Sequence, residues 1–220
     1  MGHRVKPSSR DQLRIGLSMR TTNTLEYNET RDAVAHEWAR FLELVFSCPC
    51  WVPVPNQLSD IKTFCNFWHL NGIILSGGNE EKIRDKTEFG LIDFALKEDL
   101  PLIGVCHGFQ SLNRFFGGGL HEDSTGAHAG NRHCVTVMPP YSHSKKNLKL
   151  NSYHENIIDQ KELAGELEIM ALSSDGFVEG AVSRTGRLAG IMWHPEREEQ
   201  YSDFDVKFFR RWFGFGELGA

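Results

Sequence analysis

The chain has 220 residues, with 24 Lys plus Arg against 29 Asp plus Glu, giving a formal charge of −5. That mild acidity argues against a general nucleic-acid or membrane-surface binder, while leaving room for a locally basic pocket that takes one anionic small molecule. At 40% apolar residues a large core can be buried, which excludes bulk disorder.

Residues 1–12 read as a flexible arm, and 13–220 as one domain. No apolar run reaches the roughly 18 residues of a membrane span, and the polar start lacks the apolar core of a signal peptide. Five cysteines is an odd number with no disulfide-framework spacing, which fits a reducing compartment. The expected location is therefore the cytoplasm.

Leu13–Met19 is a short apolar run that reads as a strand. From Thr30 to Phe46, Val34, Trp38, Phe41 and Val45 recur at helical spacing. Cys48-Pro49-Cys50 lies between that helix and the extended Trp51–Pro55; as C-x-C rather than C-x-x-C it reads as packing, not redox chemistry. Gly72–Ser76 is a buried strand broken by Gly77-Gly78, residues 82–97 a helix, Leu102–Val105 a second buried strand, and Phe109–Phe116 a helix. Alternating strands and helices, with strands apolar throughout, predict an α/β fold with a mostly parallel central sheet covered by helices on both faces. After Gly119 the texture changes. Short runs at Val135–Met138, Leu148–Tyr153, Leu167–Leu172, Val178–Val182 and Leu188–Trp193 predict an antiparallel-leaning second half. Phe204, Phe208 and Trp212 mark a closing helix.

Gly104-Val105-Cys106-His107-Gly108 joins a buried strand to a helix in the G-x-nucleophile-x-G pattern, with cysteine as the nucleophile. The turn is tight, so the residues two positions either side must be small. A helix N-terminus beside Cys106 favours its thiolate, and the backbone N–H of His107 can face an oxyanion. A thiolate nucleophile needs a histidine to carry protons and a carboxylate to orient it. Trp193-His194-Pro195-Glu196 supplies both, since residues two apart in an extended segment share a side. Ser76-Gly77-Gly78-Asn79 ends a parallel strand at the same sheet edge and offers a second oxyanion donor. Each fragment alone also has an ordinary reading, as a core cysteine, a surface His-Pro-Glu turn and a strand-to-helix turn.

Together, and in this order, Gly72–Asn79, Pro101–Asn113, Gly117–Leu120, Asn151–His154 and Gly190–Glu198 resemble the class I glutamine amidotransferase superfamily. The resemblance covers about Leu13 to Phe213 and implies a flavodoxin-like fold. It matches Cys106, His194 and Glu196 to the catalytic triad, and Gly78 and His107 to the oxyanion donors. Gln110 matches a residue that positions the glutamyl group, and Gly77 and Asn151, Ser152, Tyr153 and His154 match pocket segments. Arg84-Asp85-x-x-Glu88 and the Asn151–His154 segment resemble the γ-glutamyl hydrolase branch, peptidase C26. Within it, the segments Tyr27–Asp32, His128–His133 and Asn151–His154, with the ending at Trp193–Glu198, look most like γ-glutamyl-CDP-amidate hydrolases of bacterial capsule phosphoramidate synthesis.

That resemblance implies hydrolysis of a γ-glutamyl amide, most closely γ-glutamyl-CDP-amidate to glutamate and cytidine diphosphoramidate, with no metal or organic cofactor in the chemistry. The expected partner is a small nucleotide-linked γ-glutamyl substrate, and neither nucleic acid nor membrane. Arg31, Glu29 and Arg84 are candidates for the glutamyl charges, against a bland reading as intrahelical or solvated pairs. His121, His128 and His133 could meet a diphosphate or cytidine; as a zinc set, His128, His133 and Cys134 match no ordinary spacing. Two alternatives share the triad. One is a glutaminase subunit passing ammonia to a partner synthase. The other is a hydrolase of another γ-glutamyl amide, such as γ-glutamyl-γ-aminobutyrate, against which the short segment after Gly78 argues.

Overall fold

A computed structural model describes residues 13–48, 50–79, 81–142 and 145–215. The expected arm at 1–12, and Pro49 of the C-x-C segment, lie outside those residues. Among the described residues a nine-stranded sheet organises the chain. Its parallel half comprises β1 (Ile15–Ser18), β4 (Trp51–Val54), β5 (Gly72–Leu75), β6 (Leu102–Val105) and β13 (Leu188–Ile191). Numbered among themselves in chain order, these run 2-1-3-4-5 across the sheet, the flavodoxin-like order. The antiparallel half continues through β12 (Val178–Ser183), β11 (Leu167–Ser173), β8 (Ala129–Val137) and β9 (Lys146–Tyr153). The expected α/β sheet, with a parallel half and an antiparallel second half, is thus what forms: four neighbouring pairs are parallel and four antiparallel.

The strands are apolar on both faces because both are covered. Ile74, Ile103 and Val105 share one core with Phe41, Leu42 and Val45 of α1 (His36–Phe46) and Phe208 and Phe209 of α5 (Asp203–Trp212). Ile73, Leu75 and Leu102 face the other way, onto Cys65 of α2 (Ile61–Phe67), Leu91 and Ile92 of α3 (Lys82–Lys97), and Phe109 and Leu112 of α4 (His107–Phe115). Neighbouring strand residues fall into opposite cores because the side-chain period is two.

One predicted element is corrected. Thr30–Ala33 is not helix. It belongs to β3 (Glu29–Ala33), paired antiparallel with β2 (Arg20–Thr24) in a hairpin that precedes α1. Across the hairpin, Thr22 and Thr24 hydroxyls donate to the carbonyls of Arg31 and Glu29, and Thr30 Oγ donates to Asn23 Oδ1. The helical periodicity of Trp38, Phe41 and Val45 extends only back to His36. A two-stranded piece, β7 (His121–Glu122) with β10 (Asn156–Ile157), is a further element absent from the sequence reading. No helix of the described residues is long and apolar enough to cross a membrane.

Candidate active site

The C-terminal ends of β1, β5, β6 and β13 meet at one edge of the sheet, the edge where open α/β sheets place their chemistry. Ser18, the Ser76–Asn79 loop, Cys106 and His194 all follow from those ends.

Cys106 sits at the sharp turn between β6 and α4 with φ 51° and ψ −106°, a left-sided conformation that a non-glycine residue adopts only when its surroundings enforce it. Three backbone bonds do so: its N–H donates to Ile191 O at 2.7 Å, and its carbonyl accepts from Phe109 and Gln110 N–H at 3.0 Å each. The expected need for small flanking residues is visible in the packing. A Cβ on Gly108 would stand 2.3 Å from Leu75 O, and one on Gly104 would stand 2.5 Å from Gly108 backbone. Cys106 is 5% exposed, and its charge acts on the neighbouring His194 imidazole.

His194 Nδ1 lies 2.7 Å from Glu196 Oε1. The pair sits on the turn after β13, where the 3-10 turn Pro195–Arg197 brings the carboxylate back beside the ring. Burial alone would depress the imidazole. The Cys106 thiolate and the Glu196 carboxylate outweigh it and raise the pKa to about 9. Asn151 holds this turn from below. Its Oδ1 accepts His194 N–H at 2.8 Å, and its Nδ2 donates at 2.8 Å to His194 O and at 2.8 Å to Glu198 Oε1. Gly77 faces the ring, since a Cβ there would stand 2.3 Å from His194 Cε1.

The Ser76–Asn79 loop rests on a buried polar cluster. Arg84, fully buried, donates from Nη2 to Ser76 O at 2.5 Å and to Glu88 Oε1 at 2.9 Å. Its Nη1 stands 2.1 Å from the place a Cβ of Gly78 would take, so the guanidinium lies directly under the loop. Glu88 is shared by every neighbour: Ser18 Oγ donates to it at 2.9 Å, Ser111 Oγ at 2.6 Å, and His107 Nδ1 lies 3.1 Å away. Desolvation would raise its pKa, but Arg84, His107 and Ser111 hold it at about 2. Glu88 thereby links the loop, the start of α4 and the end of β1.

A cleft of about 440 Å3 opens above Cys106. Gly78, His107, Gln110, Tyr153 and His154 line it, together with Asn79, Ala129 and Gly130. His107 provides the first N–H of α4, which the helix leaves without an acceptor of its own. Tyr153, half exposed, sets its ring 5.8 Å from that of His194, with the Arg197 guanidinium 4.9 Å from its centroid. A second depression, of about 340 Å3 and lined by Arg20, Thr21, Thr22, Asn23 and Glu81, meets the cleft at Asn79.

Other sequence candidates lie elsewhere. Arg31 and Glu29 pair with each other at 2.9 Å on the exposed hairpin and are not among the cleft-lining residues. Arg84 is not a free cation for substrate, because Glu88 and Ser76 occupy it. Ser152 is fully buried and donates to His128 O. His128 is buried behind the cleft wall, and His121 pairs with Glu162 at 2.7 Å. Cys50 is buried, and desolvation and Cys48 push its thiol to about 12, which fits packing. The sequence reading missed Arg20, whose position follows from the unforeseen hairpin, and the central place of Glu88, which only three-dimensional convergence reveals.

The peptidase C26 family model matches residues 15–196. The γ-glutamyl-CDP-amidate hydrolase of Campylobacter jejuni is 30% identical over 210 residues, which cover 90% of this chain and 96% of that protein. The glutaminase domain of Trypanosoma brucei CTP synthase, solved with acivicin, superposes with a TM-score of 0.65 at 13% identity, over 94% of this chain and 96% of its own. A glutamine amidotransferase of Thermotoga maritima gives a TM-score of 0.62 at 16% identity, over 91% and 83%. These two solved structures speak to fold.

Proposed function

The chain belongs to the peptidase C26 family and is an amide hydrolase of the class I glutamine amidotransferase type, and from that premise we propose that it cleaves γ-glutamyl-CDP-amidate through Cys106, His194 and Glu196. The observation that supports the chemistry is the buried His194–Glu196 pair at 2.7 Å, beside a Cys106 that lines the cleft. Two features favour a bulky, phosphorylated leaving group. The nearly full-length relative is named for that substrate. The second depression, with Arg20 on its wall, extends the cleft past Asn79, where a nucleoside diphosphate has room and a cation.

The Cys106 thiolate attacks the γ-carbonyl carbon, and the carbonyl π pair moves onto oxygen. Backbone N–H groups of Gly78 and His107 stabilise that oxyanion. The guanidinium of Arg84 beneath Gly78 adds positive potential there. As the oxyanion collapses, the C–N bond breaks and His194 gives its Nε2 proton to the leaving phosphoramidate nitrogen. Neutral His194 then takes a proton from water, whose oxygen attacks the thioester carbonyl. The C–S bond breaks, glutamate leaves, and the thiolate–imidazolium pair is restored. Glu196 fixes the ring tautomer and stabilises its charged form throughout. Gln110 and Tyr153 line the glutamyl side of the cleft.

The test compares glutamate release from γ-glutamyl-CDP-amidate, glutamine and γ-glutamyl-γ-aminobutyrate, with Cys106→Ala as control. The proposal expects kcat/KM for the nucleotide substrate to exceed the others by about 10²-fold or more. Equal or better cleavage of glutamine overturns it and assigns the chain to ammonia-delivering glutaminases.

A further inference from the structure

Three histidines and one glutamate meet in the wall of the cleft, outside the triad, with only His154 among its lining residues. His128 lies just before β8, His133 within it, His154 just after β9, and Glu179 on β12. His128, His154 and Glu179 are each at most 3% exposed. One donor atom from each of the four lies within 4.8 Å of all the others. Glu179 Oε1 stands 3.4 Å from His128 Nδ1, 3.3 Å from His133 Nε2 and 3.6 Å from His154 Nε2. None of these four atoms has a hydrogen-bond partner among the described residues.

The far sides of two rings fix where their protons sit. His154 Nδ1 lies 2.9 Å from the carbonyl oxygen of Asn156, which can only accept, so that nitrogen carries the hydrogen. His128 Nε2 lies 3.1 Å from an Asp175 carboxylate oxygen and carries its hydrogen for the same reason. In neutral rings, His154 Nε2 and His128 Nδ1 are then bare lone pairs. Both face a carboxylate oxygen in a buried space, an arrangement that is unfavourable unless a metal cation or a proton lies between them. Asp175 is itself held by Ser173 Oγ, completing the outer support that metal-bound histidines receive.

A tetrahedral ion bonded at about 2.0–2.1 Å holds its ligands about 3.3–3.4 Å apart. Two of the contacts to Glu179 Oε1, from His128 at 3.4 Å and His133 at 3.3 Å, match that edge, and the third, from His154, is longer at 3.6 Å. Three imidazoles and one carboxylate suit Zn2+, and four protein ligands close its coordination sphere. We propose that His128, His133, His154 and Glu179 bind one structural Zn2+ that ties the β8–β9 wall of the cleft to β12. Cys134, adjacent to His133, is exposed and takes no part, because neighbouring strand residues point to opposite faces. The ligand set spans three strands, so no local spacing announces it. Ala129 and Tyr153, which line the cleft, are the chain neighbours of His128 and His154. The metal acts on the shape of the cleft and takes no step in the chemistry.

The test uses the full chain from zinc-supplemented culture. Elemental analysis should give about one Zn2+ per chain. Stripping with dipicolinate should lower Tm, and Zn2+ alone should restore it. Co2+ added to stripped protein should show the visible absorption of a tetrahedral site. His133→Ala, which removes the least buried ligand, and Glu179→Gln should each weaken Zn2+ binding by at least about 10²-fold. Should a variant fail to fold, the wild-type Tm shift and Co2+ spectrum still decide. The proposal is overturned if wild-type protein carries only trace zinc with no Zn2+-dependent Tm change. It is equally overturned if zinc content is unchanged in folded His133→Ala and Glu179→Gln. The cluster is then a set of imidazoles protonated around Glu179.

Discussion

His194 stands between a thiol and a carboxylate, and both neighbours favour its charged form. Removing one should be readable at the other. In Cys106→Ala the imidazole loses its leading charge partner, and its pKa should fall from about 9, as followed by NMR of the ring protons. Glutamate release should be abolished in the same protein while circular dichroism stays native. The sign of the shift also sets a stability window. A histidine with a raised folded pKa contributes stability that is full below about 6.5 and lost as pH rises through about 9. Gly77 tests the geometry without touching the reacting atoms. Its missing Cβ is the space the imidazole ring fills, so Gly77→Ala should displace the ring and lower kcat/KM by about 10²-fold. A fully active Gly77→Ala enzyme would show that the ring position tolerates that displacement.

Among the elements, the buried Arg84–Glu88 pair joins α3 to the β5 loop and the start of α4. Glu88→Ala leaves the guanidinium buried and uncompensated, and should cost ~3–5 kcal/mol in urea unfolding, far above an exposed pair such as Lys97–Asp93. A loss below ~1 kcal/mol would mean that the loop draws its support from elsewhere. This network was only partly legible in the sequence. Arg84 and Glu88 are visible as an i, i+4 pair, but Ser18 and His107 join them only when β1 and β6 align at one edge. The strands Gly72–Leu75 and Leu102–Val105 and the helix Lys82–Lys97 were legible, because apolar runs bounded by Gly and Pro leave few options. The β2–β3 hairpin was not, since its polar alternation has no buried face to reveal it. Cys106, His194 and Glu196 stand out as local motifs. His128, His133, His154 and Glu179 do not, because the β8–β9 and β11–β12 registers bring them together.

At the scale of the whole molecule, two buried carboxyls give stability a two-sided acid response. Asp205 is pushed up to about 6 by burial, against hydrogen bonds from Ser202 and Trp193. Its native state binds a proton more readily than the unfolded chain, so its contribution grows as pH falls through about 6. Glu88 acts oppositely. Its folded pKa of about 2 gives stability that is full above about 4.5 and lost as pH falls toward 2. Asp205→Asn should therefore remove the gain below pH 6 and leave the loss at lower pH, in Tm measured across pH. All strand ends that carry chemistry converge on Cys106, and the measurement that tests this most directly is intact-protein mass spectrometry after rapid acid quench with a γ-glutamyl amide substrate. A transient mass gain of one γ-glutamyl group is expected, mapped to the peptide containing Cys106 and absent in Cys106→Ala. Full turnover by Cys106→Ala, or the adduct on another residue, would contradict it.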